Sequence, residues 1–256
     1  MRLGAYQGPS VMGDVARALA VVERSATAAA GFGCDVLVFP ELFTTGYNMG
    51  DRLQALAEPV GGPTTEALRT TAARHGVALV SGFCERDGTA LHNTALAIDR
   101  DGSLRASYRK VQLFGPDEAT LFEAGNELVV CPLAGHRVGL LICYDVEFAE
   151  LPRRLVEAGA EAILVPTAQM RPFAHVARTL IRARALENAV PVVYANYTGR
   201  EGHLSYVGLS AVVGADGEDA ARAGPRGEAL LIADLSAPLP VEVLSTQHQD
   251  RRNDLG

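Results

Sequence analysis

The sequence predicts an α/β fold of layered sheets with helices on the outside. Three observations carry that expectation. Short apolar runs of strand length alternate with segments whose apolar residues recur at helical spacing. Several of these runs meet a helical pattern through a short turn. Apolar residues fill 48% of the 256 positions, enough for a sizeable core in one large domain.

The elements follow in chain order. "RLGAYQG" and "CDVLVFP" read as buried strands. Between them Asp14 is placed to cap a helix whose face is Val15, Ala18, Leu19, Val22 and Ala26. "PTTEALRTTAARHG" is a second helix, opened near Thr64 or Thr65 and closed by Gly76. Strands are expected at "VALVSGFC", "LHNTALAID", "LRASYRK", "ELVVCPL" and "RVGLLIC", with Asp101-Gly102 as a hairpin turn between the second and third. "FAELPRRLVEAG" is helical, with Pro152 confined to its first turn. "AEAILVP" is a strand. "FAHVARTLIRARALENA" is a helix with Phe173, Val176, Ala177, Leu180, Ala183 and Leu186 on one side. "VPVVYANY", "LSAVVGADG" and "EALLIADL" complete the strands, and a polar tail from about residue 244 is expected to be extended or mobile. The whole chain, 1–256, reads as one domain.

Charge and composition remove several function classes. The net charge is −7, with acids and bases spread along the chain. No basic block invites nucleic acid or an anionic membrane. "MRLGAYQGPS" lacks the charged and long apolar regions of a signal peptide, and no apolar run nears the roughly 18 residues of a membrane span. Cys34, Cys84, Cys131 and Cys143 are too irregularly spaced for a zinc motif or a disulfide scaffold, so reduced thiols and a cytoplasmic location are expected. The scattered histidines form no spaced metal-binding pair, and the glycines form no phosphate-binding or dinucleotide pattern.

Three reactive side chains each stand just beyond an apolar strand: Glu41 after "DVLVFP", Lys110 after "LRASYR", and Cys143 after "RVGLLI". Carboxyl ends of strands are where α/β folds gather reactive groups. A helix following Cys143, with Asp145 at its start, is expected to favour the thiolate and lower the thiol pKa. The Tyr144 N–H is a natural oxyanion donor and a lysine ammonium a second, while a carboxylate can take the thiol proton. Taken one at a time, these residues have plainer readings. Cys143 also suits an inert core thiol, Glu41 a loop carboxylate, and Lys110 a solvated strand end. Cys34, Cys84 and Cys131 read as structural.

Taken together, "FPELFTTGY" (39–47), "YRKVQLFGPDEATLFEAG" (108–125) and "LICYDVEFAE" (141–150) resemble the nitrilase superfamily of carbon–nitrogen hydrolases. The likeness continues through "PTAQMRPF", "RALENAVPVVYANYTG" and "YVGLSAVVGADG" to about Leu235. It implies a four-layer α-β-β-α sandwich and a Glu–Lys–Cys triad, matched here by Glu41, Lys110 and Cys143. It also implies a second glutamate, matched by Glu118, that positions the lysine, the base and the substrate. Dimers or larger homo-oligomers paired through helices are implied as well. One departure is local: family members often carry Pro where Ala149 stands.

Within the superfamily, Tyr144-Asp145 after the nucleophile resembles the amidases, where nitrilases typically carry Trp-Glu. "CYDVEF" with "KVQLFGPDE" is most similar to the aliphatic and R-stereoselective amidase branch. A small carboxamide is therefore the expected substrate, with a cysteine thioester intermediate and no metal or organic cofactor. Val146-Glu147 offers no cation for a substrate carboxylate, and Glu147 suggests tolerance of a substrate amine, or else simply faces solvent. Tyr47, Phe114, Thr167, Ala168, Met170 and Asn196 are further candidates for the pocket, with core packing an equal reading for Phe114 and Met170. A nitrilase, an N-carbamoyl-amine hydrolase, an acyltransferase and a non-catalytic binding subunit remain as alternatives.

Overall fold

The computed structural model describes residues 1–252. Strands β1 (Arg2–Pro9), β2 (Val36–Val38), β3 (Ala78–Asp87), β4 (Ala90–Ile98) and β5 (Leu104–Arg109) build one sheet. Strands β6 (Val129–Leu133), β7 (His136–Leu140), β8 (Ala162–Pro166) and β9 (Val192–Ala195) belong to a second. The short β10 (Tyr197–Thr198) returns to β1, and β11 (Arg200–Glu201) pairs with β12 (Leu204–Ser205). Strands β13 (Ala211–Val213) and β14 (Asp219–Arg222) extend the second sheet beyond β9, while β15 (Ala229–Asp234) pairs antiparallel with β1.

Strand direction decides where the site can be. β1, β2 and β3 are mutually parallel, and two antiparallel steps through β4 bring β5 back to the same direction. The loops after β2 and β5 therefore leave one end of the sheet. The Asp99–Ser103 hairpin performs the second reversal, with Gly102 at φ 80° in its turn. In the other sheet β7, β8 and β9 run parallel, so the loops after them also share an end.

Helices α1 (Val15–Gly31) and α3 (Pro63–His75) cover the outer face of the first sheet. Ala18, Val22, Ala26, Leu68 and Ala72 meet Leu37, Leu79 and Leu96 there. Asp14 accepts from the Arg17 N–H at 2.9 Å, and Gly76 closes α3 in the left-handed region at φ 64°. Between the sheets, Val36, Val38, Val80 and Ala97 share one apolar cluster with Leu140, Val165 and Val193. The same cluster takes in α5 (Glu150–Glu157) through Leu151 and Leu155, and α6 (Ile181–Asn188) through Ile181 and Ala185. The layer order is helix, sheet, sheet, helix.

Three local expectations need correcting. The helix expected over "FAHVARTLIRARALENA" contains a π turn at Val176–Leu180. The extra residue in that turn moves the buried face one residue along, from the anticipated Leu180, Ala183 and Leu186 to Ile181, Arg184, Ala185 and Asn188. Leu186 is left 39% exposed. Short α2 (Arg52–Leu56) and α4 (Gly115–Leu121) lie in segments where the sequence pattern suggested no element. The tail is not wholly extended: α7 (Gln247–Asp250) is a single helical turn, and residues 253–256 lie outside the described residues. No helix among the described residues is long and apolar enough to cross a membrane.

Candidate active site

Glu41 follows β2 by way of Phe39-Pro40, and its neighbour Leu42 is held at φ 47°. This segment runs hard against β3 at Gly82. A Cβ there would lie 2.1 Å from the Leu42 nitrogen and 2.5 Å from the Glu41 carbonyl carbon, so only glycine admits the approach. The Glu41 side chain is 0% exposed. Its Oε1 accepts from Lys110 Nζ at 2.6 Å and from Asn93 Nδ2 at 2.7 Å. Its Oε2 is buried without a hydrogen-bond partner, a costly state for a carboxylate oxygen unless something else comes to it.

Lys110 leaves the end of β5 and is 1% exposed. Besides Glu41, Nζ donates to Glu118 Oε1 at 2.8 Å. Burial alone would lower this ammonium, but the charges of Glu41 and Glu118 outweigh it and hold it above the usual lysine range. Glu118 comes from α4. It takes the Tyr47 hydroxyl at 2.5 Å on Oε1 and the Phe114 N–H at 2.9 Å on Oε2. Burial pushes Glu41 above the ordinary carboxylate range; the Lys110 charge opposes that shift and the Glu118 charge adds to it.

Cys143 follows β7 and adopts φ 47°, a left-handed conformation that a non-glycine residue holds only when its surroundings enforce it. The surrounding hydrogen bonds do so. Asp145, fully buried, accepts from the Ile142 N–H at 2.9 Å, the Gln112 N–H at 2.8 Å and the Tyr108 hydroxyl at 2.8 Å. The nucleophile turn is thereby tied to the segment that follows Lys110. The expected α-helix does not begin at Cys143. A 3₁₀ turn spans Cys143–Glu147, and α5 starts only at Glu150.

The expected lowering of the thiol pKa is likewise overturned. Burial and the nearby Glu41 charge push the Cys143 thiol well above its usual value, against the pull of Lys110 and hydrogen bonds from Thr167 and the Ala168 backbone. Cys34 and Cys84 are pushed up to about 12 and Cys131 to about 11, again chiefly by burial.

The strand-end geometry brings Glu41, Lys110, Glu118 and Cys143 to one place. Beside it, and reaching it at Glu118, lies a cleft of about 370 Å³, lined in part by Tyr47, Asn48, Phe114, Met170 and His203. Phe114 stacks edge-on against Tyr144 with ring centres 5.2 Å apart and against Phe173 at 5.9 Å, which makes an aromatic wall. Thr167 and Ala168 are fully buried beside the sulfur. Asn196 is fully buried. Its oxygen takes the N–H groups of Gln169 and Tyr197, each at 2.8 Å, and its amide nitrogen reaches the Gly208 carbonyl at 2.8 Å, so its polar atoms are used by the backbone. Glu147 is half-buried; its side chain makes no hydrogen bond or ion pair among the described residues, and burial raises its pKa.

Sequence reasoning passed over Gln169 and Asn93. Gln169 Oε1 accepts from Cys143 Sγ at 3.7 Å and from the Tyr194 hydroxyl at 3.2 Å. The signal for each was a polar residue set in an apolar segment, in "PTAQM" and in "LHNTALAID". Among the described residues no group of three or more His, Cys, Asp or Glu is arranged to hold a metal.

A family model for carbon–nitrogen hydrolases matches residues 2–239. The chain belongs to that family. It is 42% identical over 261 aligned residues to a hydrolase in the pqqF 5′ region of Pseudomonas protegens, covering 100% of this chain and 90% of the relative. It is 37% identical over 187 residues to an (R)-stereoselective amidase of a Pseudomonas species, covering 73% of this chain and 67% of the relative. Among solved structures, the amidase from Nesterenkonia sp. AN1 in complex with acrylamide superposes with a TM-score of 0.89 at 34% identity, covering 98% of this chain and 94% of that one. In a crystal of a single-residue mutant of that amidase, the acetamide moiety of fluoroacetamide is covalently attached at the active-site cysteine. This carbon–nitrogen hydrolase shares the mixed α/β fold of those nitrilase-superfamily amidases.

Proposed function

We propose that the enzyme hydrolyses a small carboxamide, R–CO–NH₂, to the acid and ammonia through a thioester on Cys143, using a Glu41–Lys110–Cys143 triad. One observation carries this reading. A buried ammonium, Lys110, is shared between Glu41 at 2.6 Å and Glu118 at 2.8 Å, while the second oxygen of Glu41 stays buried and unpaired. Lys110 fixes one oxygen of the base and leaves the other for a proton.

The steps balance with these groups alone. Glu41 takes the Cys143 proton as the sulfur attacks the amide carbon. The oxyanion is met by Lys110 Nζ and the Tyr144 N–H. Protonated Glu41 delivers its proton to the nitrogen, the carbon–nitrogen bond breaks, and ammonia leaves a thioester. Water then loses a proton to Glu41 and attacks the thioester. The carbon–sulfur bond breaks, the acid departs, and Glu41 returns the proton to sulfur. Because the resting thiol is held neutral, proton transfer and attack belong to one event in the substrate complex. No metal or organic cofactor has a role in these steps.

Glu118 positions Lys110 through its Oε1 and is itself steadied by Tyr47 and the Phe114 N–H. Tyr47, Phe114 and Met170 border the cleft and bound the substrate's R group. The unpaired Glu147 carboxylate suits a substrate amine, as in an amino acid amide. The chain works as one domain and pairs through its outer helices into at least a dimer; the outward-facing Leu186, 39% exposed on α6, suits such a contact. We assign it to the cytoplasm, with its cysteines reduced.

A matched pair of substrates, propionamide and propionitrile, tests the reaction class through ammonia release. A site that pairs a carboxamide NH₂ leaves those partners unmet by a nitrile, which is worth roughly 10²- to 10⁴-fold in rate. A higher kcat/KM for the nitrile overturns the amide assignment.

A further inference from the structure

We infer that Glu201 is a positioning residue for this reaction, acting through Tyr47 on the Glu118–Lys110 pair. The inference rests on the triad reading above. Glu201 is 1% exposed and, among the described residues, forms no ion pair. Burying a carboxylate without a cation is unfavourable unless hydrogen bonds replace its water. Here four donors do so: the Ser10 hydroxyl at 2.5 Å, the Asn48 N–H at 2.9 Å, the Tyr47 N–H at 3.3 Å, and the Tyr206 hydroxyl. The Glu201 carbonyl also accepts from Asn48 Nδ2 at 2.9 Å.

Two glycines make room for this arrangement. At Gly46, φ 92°, a Cβ would lie 2.5 Å from Glu201 Oε1; at Gly202, φ 57°, it would lie 2.7 Å from Asn48 Nδ2. The carboxylate thus sits directly beneath the turn that carries Tyr47. The other end of Tyr47 reaches the site, where its hydroxyl donates to Glu118 Oε1 at 2.5 Å, the same oxygen that holds Lys110. A second arm leads to the base. Tyr206 packs on Tyr197 with ring centres 5.0 Å apart, and the Tyr197 hydroxyl donates to the Glu41 carbonyl at 2.8 Å. Glu201 therefore contacts neither substrate nor sulfur, yet it braces both carboxylates that flank Lys110.

A double-mutant cycle on kcat tests this. Tyr47→Phe deletes the hydrogen bond to Glu118 and is expected to lower kcat roughly tenfold or more, the scale of one hydrogen bond to a charged group. Glu201→Gln keeps the size but removes the negative charge on which the four donors converge, and is expected to lower kcat roughly tenfold by loosening the same bond. With Tyr47 already Phe there is no bond left to release, so the double variant should lie within about twofold of the worse single variant. A purely structural Glu201 would lower the melting temperature but leave the two kcat effects multiplicative, roughly a hundredfold together. Multiplicative effects, or full kcat in Glu201→Gln, overturn the inference. If Glu201→Gln does not fold, Tyr206→Phe, which removes one donor, takes its place in the cycle under the same criterion. Lys110→Ala in the same assay separates the two levels. Turnover there defeats the triad reading itself, whereas an inactive Lys110→Ala beside a multiplicative cycle defeats only the role of Glu201.

Discussion

Lys110→Ala removes the ammonium that two buried carboxylates share. In the native protein Nζ lies 2.6 Å from Glu41 Oε1 and 2.8 Å from Glu118 Oε1, and the three side chains are at most 4% exposed. Water cannot readily replace the lost charge. Removing one member of such a buried set costs about 3–5 kcal/mol, because the remaining charges stay buried without a counterion. The variant can recover part of this by protonating Glu41, whose burial already favours the neutral form. Its folded pKa then stands above the unfolded one, so the stability retained at low pH is lost as pH rises through the folded pKa. Urea unfolding should show a deficit of about 3–5 kcal/mol at pH 8 that shrinks toward pH 6. Turnover, read as ammonia release, should fall by roughly 10²- to 10³-fold from loss of an oxyanion donor. A folded variant with native-like stability at pH 8 and activity within tenfold of the parent would refute the reasoning on both counts.

Glu41→Gln keeps the shape and an acceptor for Lys110 but cannot carry the proton; it should fold and lose roughly 10²-fold or more in kcat, and retained turnover would remove Glu41 from the mechanism. Because burial holds the Cys143 thiol neutral, its alkylation by iodoacetamide should quicken by roughly tenfold per pH unit between pH 6 and 8, and a rate already level below pH 7 would show a pre-formed thiolate. Cys143 should still react ahead of Cys34, Cys84 and Cys131, which are buried in apolar packing, as peptide mapping by mass spectrometry can check. Sedimentation should give at least a dimer, and a 27.0 kDa species throughout the micromolar range would reject that assembly.

The reactive residues were legible because position along a strand survives translation into sequence. Glu41, Lys110 and Cys143 each end an apolar run, and parallel strand direction carries those ends to one edge. What three dimensions added depends on contacts distant in sequence. Asn93 reaches Glu41 from the strand between β3 and β5, and Gln169 reaches Cys143 from the loop after β8. Neither pairing is written in local spacing. The thiol pKa was misjudged for a related reason: the local pattern suggested a helix start, whereas burial, a property of the whole fold, dominates. The buried face of α6 slipped by one residue because a π turn leaves no mark in a 3.6-residue periodicity. Asn196 lies in a motif segment, and its polar atoms brace the backbone of Gln169, Tyr197 and Gly208.

Acid-quenched enzyme taken during turnover of propionamide, digested and mapped by mass spectrometry, tests the central claim most directly. The account predicts a propionyl group on the peptide that carries Cys143, absent from Cys143→Ala. A propionyl group on any other residue, or ammonia still released from propionamide by Cys143→Ala, would contradict it.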